Sequence, residues 1–170
     1  MAAIGQSNNN ITTIALARYV TAIASSGTVY KLSLLDHVED GDGKVLKKYG
    51  PKVKTSIGIL NTGQWGAIHS GMRMVAEDLT SFNGFSVAVA GKTGTAEINN
   101  HPNHALFVGY APYENPRIAL ATRIAYGYTS HNAADISRYI FGIYFDDEAS
   151  RAFAESDTVQ SVSTSGSVTD

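Results

Sequence analysis

Residues 85–97 restrict the possible folds of this chain more than any other stretch. Phe85-Ser86-Val87-Ala88-Val89-Ala90 alternates and then runs into Gly91-Lys92-Thr93-Gly94-Thr95-Ala96-Glu97. Period-two alternation signals a β-strand, here near residues 84–96. Side chains at i and i+2 share a face of a strand, so Thr93 and Thr95 point one way and Lys92 the other. A phosphate-binding loop is the obvious rival, because Gly91-Lys92-Thr93 also ends that motif. It requires a glycine five residues before Gly91, where Ser86 stands, and a helix that starts at the lysine. The polar stretch Ala96-Glu97-Ile98-Asn99-Asn100-His101-Pro102-Asn103 has no helical periodicity. The phosphate reading fails on both counts. An edge strand with a solvated Lys92 remains as the plain alternative to a ligand-binding strand.

Around this strand the pattern is mixed α and β. Leu16, Tyr19, Val20 and Ile23 recur at helical spacing, so a helix near 12–25 is expected, with Thr12 as N-cap and Gly27 as terminator. Leu32 to Tyr49 reads as a hairpin-like excursion about the turn-rich Asp40-Gly41-Asp42-Gly43. Pro51 to Gly63 is ambiguous. Trp65, Ile68, Met72, Val75 and Leu79 form one stripe of a helix near 64–79, read as core packing. Gly71 inside it costs about 1 kcal/mol relative to Ala, which close approach of another element would offset. Further strands are expected near 104–111 and 117–126, with a turn at Tyr113-Glu114-Asn115-Pro116. Ala133, Ile136, Ile140 and Ile143 mark a last helix near 132–145, capped by Ser130 or Asn132. Asp146-Asp147-Glu148 reads as its fraying end, and 146–170 as a polar, disordered tail. The fold class is α+β, an α/β sandwich with an antiparallel sheet, and the folded part is 1–145.

The 170 residues are 44% apolar, which supports a substantial core, and carry a formal net charge of −2. That balance gives no electrostatic case for nucleic acid or an anionic membrane surface. Cysteine is absent, which excludes a thiolate nucleophile, a disulfide framework and a Cys-ligated metal. No apolar run is long enough to cross a bilayer, and Met1-Ala2-Ala3 does not open a signal peptide. His101 and His104 flank Pro102 in an expected loop and lack further ligands, so no metal or other cofactor is assigned. His69, on the polar side of its helix, and His37 and His131, in loops, read as solvated. Ser70, Ser81 and Ser86 have no lysine three residues on.

The strand that runs into Lys92-Thr93-Gly94-Thr95 resembles the third motif of the penicillin-binding proteins and serine β-lactamases. The flanks are similar to class B penicillin-binding proteins in particular. His104-Ala105-Leu106-Phe107-Val108-Gly109-Tyr110-Ala111-Pro112 and Asn115-Pro116-Arg117-Ile118-Ala119-Leu120-Ala121 resemble the two strands after the motif. Ile4-Gly5-Gln6 and Ile11-Thr12-Thr13-Ile14-Ala15-Leu16-Ala17-Arg18 resemble two upstream segments, with Thr13 where the family usually has proline. Gly71-Met72 and Asp42-Gly43-Lys44-Val45 also fit, so the resemblance spans roughly residues 3 to 145. The family's other two motifs, S-x-x-K and a second Ser-centred triplet, have no convincing counterpart.

The resemblance implies the C-terminal half of a peptidoglycan D,D-transpeptidase that cross-links cell wall and is inhibited by β-lactams. A serine would attack a D-alanyl-D-alanine stem, or the β-lactam that mimics it, to give an acyl-enzyme. By the same resemblance Lys92 and Thr95 are the catalytic positions, with the Thr95 N–H in the oxyanion hole and the Lys92 charge behind the site. Thr93, Gly94 and Thr95 would bind substrate, the hydroxyls facing its carboxylate. Glu97 is given no role. Without its nucleophile the chain is expected to be inactive alone. Its partners would be the N-terminal half of the same domain and a stem peptide or β-lactam. It would act on the extracytoplasmic face of a bacterial membrane, with its parent anchored by a missing N-terminal helix. It would be a processed or deliberately cut piece. The family sheet has five strands, which leaves the 117–126 strand without a neighbour here. Alternatives of the same fold are a β-lactam-sensing domain and a non-catalytic structural relative.

Overall fold

A three-stranded antiparallel sheet, β5 (Ala90–Ile98), β6 (His101–Ala111) and β7 (Ile118–Ile124), organises the chain in the order β5-β6-β7. The computed structural model describes residues 11–157. Ahead of the sheet come α1 (Thr13–Ala24), β1 (Thr28–Tyr30), β2 (His37–Glu39), β3 (Val45–Lys48), β4 (Val53–Ser56) and α2 (Thr62–Asp78). After it come α3 (Ser130–Tyr144) and α4 (Glu148–Asp157). The α+β sandwich expected from the sequence is the fold observed. Ile4-Gly5-Gln6 lies outside the described residues.

Alternation along the strands divides the core in two. Ala105, Phe107, Ala111 and Leu120 point to one face and pack with Ala133, Ala134 and Phe141 of α3. Ala90 and Tyr110 point to the other and pack with Val20 of α1 and Met72 of α2. Gly91 pairs with Gly109, and Thr93 with Phe107. The Phe107 ring fills the space that the two glycines leave bare. A Cβ on Gly91 would lie 2.3 Å from its Cζ, and a Cβ on Gly109 2.7 Å from its Cε1. The absence of side chains at both positions is what lets a wholly buried aromatic ring lie flat on the sheet.

The strand itself starts later than the alternation suggests. Residues 85–89 are not part of it, since the pairing with β6 begins at Ala90 and Tyr110. Their backbone groups bond elsewhere: Ala88 O accepts from Tyr113 N–H at 2.8 Å, and Val89 O from Arg73 at 2.9 Å. At the other end the hairpin runs further than expected, through Ile98 and back from His101. Asn100 makes the turn with φ 60°, a conformation that asparagine tolerates better than most residues. Among the described residues β5 and β7 each have β6 as their only neighbour, so the far edge of each is open.

Helix α1 begins at Thr12, whose hydroxyl accepts from Ala15 N–H, and ends where Gly27 N–H returns to Ala22 O at 2.7 Å. Helix α2 begins at a capping box between Asn61 and Gln64. Met72, Ala76 and Leu79 are buried on its inner stripe, while Ile68 sits at the rim with 36% exposure. Gly71 faces open space, so no close approach offsets its cost. Thr129 caps α3, not Ser130 or Asn132.

The chain after α3 departs from the tail expected at 146–170, since 148–157 form α4. The residues that stop α3 start α4. Asp147 accepts from the Ser150 backbone N–H at 3.0 Å and from the Ser150 hydroxyl at 2.7 Å. It also accepts from Arg138 of α3 at 3.0 Å. Acidic residues favour a helix N-terminus, so the charges that would oppose a longer α3 support α4 instead. The Tyr139 and Phe153 rings stack 3.9 Å apart. Residues 158–170 lie outside the described part.

The Ser150 hydrogen bonds, and then Arg138, hold the Asp147 carboxyl below its ordinary 3.8. A depressed carboxyl pKa stabilises the fold above the ordinary value and loses that contribution as pH falls through the folded one. We therefore expect α4 to detach in mild acid before the sheet opens. Hydrogen exchange should show residues 148–157 losing protection below about pH 4, and Asp147→Ala should lose it already at neutral pH. Unchanged protection in Asp147→Ala would refute the anchoring role.

Candidate active site

Strand β5 presents Lys92, Thr93, Gly94 and Thr95 in four successive register positions, opposite Val108, Phe107, Leu106 and Ala105. Thr93 and Thr95 stand on the α3 face and Lys92 and Gly94 on the α1/α2 face. Lys92 and Thr95 are exposed, and Thr93 and Gly94 are half-buried. The Lys92 ammonium donates to Thr93 O at 2.9 Å. A Cβ on Gly94 would meet only Leu106, at an ordinary 3.5 Å. Neighbouring side chains therefore do not force a glycine there, and its bareness leaves the strand open from above.

On an edge strand, alternate residues turn their N–H and C=O groups away from the neighbouring strand. The N–H groups of Thr93 and Thr95 point in the same direction, and both hydroxyls share one face. The row thus offers backbone donors, two hydroxyls and one mobile ammonium. That chemistry suits a carbonyl oxygen acquiring charge, or a carboxylate. It supplies no nucleophile. Among the described residues no group of three or more His, Asp or Glu side chains could hold a metal ion. Ser137 is wholly buried and bonded to Thr122 Oγ1 at 2.8 Å and Ala133 O at 2.6 Å, which removes it from solvent and ligand alike.

The histidines differ most from their sequence reading. His69 does not lie on a polar face. Its Nε2 bonds Ile23 O at 2.8 Å, and its ring lies between Trp65 and Tyr110 at 6.3 and 5.8 Å. It ties α2 to the end of α1. Its position four residues after Trp65 and three before Met72 was the available signal. His37 lies in β2, bracketed by Asp36 at 2.8 Å and Glu39 at 2.7 Å, and these hydrogen bonds raise its pKa above 6.5. His131 opens α3 with its Nδ1 3.2 Å from Thr129 Oγ1.

His101 and His104 belong to β6 and not to a loop. His104 pairs with Ala96, one position beyond Thr95. Its Nδ1 accepts the Tyr126 backbone N–H at 3.0 Å. The Tyr126 ring lies 5.2 Å from His104 and 5.3 Å from His101. Burial, and then the charge of Arg123, lower the His104 pKa from 6.5. The sequence reading missed this cluster, because it joins residues 22 positions apart.

Comparison with known proteins gives this arrangement its context. A family model described as "Penicillin binding protein transpeptidase domain" matches residues 1–142. Peptidoglycan D,D-transpeptidase MrdA of Haemophilus influenzae is 30% identical over 165 residues, which cover 84% of this chain and 25% of the relative. Penicillin-binding protein 2B of Streptococcus pneumoniae is 28% identical over 154 residues, or 80% of this chain and 22% of the relative. Among solved structures, Pseudomonas aeruginosa PBP2 in complex with WCK 5153 superposes with a TM-score of 0.67 at 28% identity, over 88% of this chain and 32% of that one. The imipenem acyl-enzyme of penicillin-binding protein A from M. tuberculosis superposes with a TM-score of 0.75 over 85% of this chain and 33% of that one. At 23% identity it is a likeness of fold alone. The chain spans about a quarter of the length of these curated relatives.

Proposed function

This chain belongs to the penicillin-binding protein transpeptidase domain family, and from that premise we propose that it forms the C-terminal part of a peptidoglycan D,D-transpeptidase. The observation that carries the reading is the β5 edge. It displays Lys92, Thr93 and Thr95 along an open edge strand.

In this reading the open edge is one wall of a cleft, and the N-terminal half of the domain supplies the opposite wall with its serine and lysine. The serine attacks the carbonyl of a D-alanyl-D-alanine stem, or of a β-lactam, and the carbonyl oxygen gains negative charge. The Thr95 N–H donates to that oxygen. The hydroxyls of Thr93 and Thr95 hold the ligand's terminal carboxylate, and Gly94 keeps the approach clear. Lys92 supplies positive charge for an anionic ligand, for which its ammonium must swing away from Thr93 O. Collapse of the tetrahedral intermediate expels the leaving group and leaves the acyl chain on the serine. The parent protein works on the extracytoplasmic face of the membrane. In this reading the parent is anchored by an N-terminal helix; no described helix of this chain is long and apolar enough to cross a bilayer.

A fluorescent penicillin tests the reading directly. The chain alone should carry no covalent label after denaturation, and co-expression with the upstream half of its parent domain should restore labelling on that half. A covalent adduct on any serine of this chain would overturn the assignment of the nucleophile to the missing half.

A further inference from the structure

Two tyrosines between β7 and α3 have backbone conformations that bulky residues seldom adopt. Tyr126 has φ 55° and Tyr128 φ 64°, and left-handed backbone at aromatic residues is costly unless the surroundings impose it. The surroundings here are specific. Gly127 between them is buried, and a Cβ there would lie 2.8 Å from both Ala105 Cβ and Ile124 Cβ, so the turn presses directly on the sheet. Tyr128 N–H donates to Asn103 O at 3.0 Å, and the Asn132 amide to Gly127 O at 2.8 Å. Gly127 N–H also donates to Ile124 O at 3.3 Å, and Thr129 N–H to Gly127 O at 2.8 Å. The Tyr126 N–H donates to His104 Nδ1, and of these bonds it is the one whose acceptor can take up a proton.

We propose that His104, as a neutral imidazole protonated on Nε2, latches the Tyr126-Gly127-Tyr128 turn to the sheet, and that the latch opens when Nδ1 takes a proton. A protonated Nδ1 is a donor and cannot accept the Tyr126 N–H. With that bond gone, Tyr126 loses one restraint on its left-handed backbone. Gly127 of the turn rests on Ala105, the residue that pairs with Thr95, so the latch ties the turn to the strand position directly opposite Thr95. Resting on the transpeptidase reading, His104 is then a positioning residue for that site and not a catalytic one.

The charged and titratable groups around it set the direction. Arg123 of β7 stands on the same face of the sheet and opposes protonation, as does burial. Strand β5 brings Ala96 opposite it and Glu97 in the adjoining register shift. His101 of its own strand touches the same Tyr126 ring. Helix α1, which packs on this side, carries Arg18 as its one charged residue, and α2 carries its Arg73 paired with Glu77. Because the folded imidazole holds its proton less well than the ordinary 6.5, the latch is closed above that value and opens as pH falls through the lower folded one.

Nitrogen-15 NMR of the chain tests this. The wild type should show His104 as the Nε2-protonated tautomer at neutral pH. The Tyr126 amide should lose protection by about tenfold, after correction for intrinsic exchange, as His104 titrates. His104→Asn replaces Nδ1 with an amide oxygen that accepts but does not titrate, and should keep the amide protected throughout. His104→Ala should leave it unprotected at every pH. Protection of Tyr126 that ignores the His104 titration in the wild type, or survives in His104→Ala, would overturn the latch.

Penicillin acylation by the chain assembled with its upstream half tests the consequence. The wild-type rate should fall with the His104 titration, and the His104→Asn rate should not. Coincident pH profiles would overturn the positioning role. Failure of the wild-type assembly to acylate at any pH would count against the transpeptidase reading instead, and the NMR result would still decide the latch.

Discussion

Thr95→Pro in the assembled transpeptidase domain should slow acylation by a β-lactam by about one to three orders of magnitude, the usual cost of losing one oxyanion-hole donor. Proline removes the N–H itself, and an edge strand is where a sheet best tolerates it. Thr95→Ala separates the two functions of the residue, because it keeps the N–H and deletes the hydroxyl. It should weaken ligand binding more than it slows the chemical step. Lys92→Ala should fall in the same range as Thr95→Pro, since the ammonium is the only charge in the row from 91 to 96. Stopped-flow acylation, with a thermal melt as the folding control, reads all three. A folded Thr95→Pro domain that acylates at the wild-type rate would end the case for this strand as the oxyanion wall.

Phe107→Ala should have the largest effect on stability, about 3–5 kcal/mol, as expected when a fully buried aromatic is cut back. Many domains have only about 5–15 kcal/mol in total, so the variant should unfold far more readily in urea. The ring is wholly buried, stands 5.5 Å from Phe82 and covers Gly91 and Gly109. The reverse fault, Gly91→Ala, should cost about 1–3 kcal/mol through overpacking, because the new methyl would meet both Phe107 and the Val108 carbonyl. The two sites share one space, so Gly91→Ala with Phe107→Leu should cost less than the sum of the single changes. Strict additivity in that cycle would mean that the ring does not depend on the glycines.

Much of this was readable from residues alone, for reasons that differ between elements. The helices at 13–24, 62–78 and 130–144 follow apolar stripes at helical spacing, and local periodicity survives without knowledge of partners. The sheet was readable because the segments 104–112 and 115–121, which form most of β6 and β7, resemble the corresponding strands of a known family. Its boundaries were less legible. Where a strand starts depends on the pairing it finds, and residues 85–89 alternate but bond to Tyr113 and Arg73 outside the sheet. The capping box of Asn61 and Gln64 went unread, because it begins inside the ambiguous stretch 51–63. Charge misled at 146–148, where acidic residues can end one helix or begin the next; Ser150 and Arg138 settle the choice through contacts in space. The roles of His69 and His104 come from partners 46 and 22 residues away; the stripe of Trp65 and Met72 marks His69 as inward-facing, but no local pattern names either partner. The strand placement of 92–95 was legible, because period-two spacing alone puts the hydroxyls and the ammonium on opposite faces.

The order of the layers differs from the order of the chain, and this affects how the molecule assembles. Strands β5, β6 and β7 are consecutive and joined by short turns, and α3 follows directly. Contacts within that unit close small loops, so they cost little chain entropy and can form early. The opposite cover is not local: α1, at residues 13–24, must find β7, at 118–124, across almost the whole described chain. Until it does, Tyr110 and Ala90 have only α2 above them. The meander with α3 is therefore the natural nucleus, and α1 is a late arrival whose docking completes the second core. A chain built this way passes through a half-covered stage. At that stage one face of the sheet, with both of its edges open, is exposed to any neighbour that can pair with it or cover it.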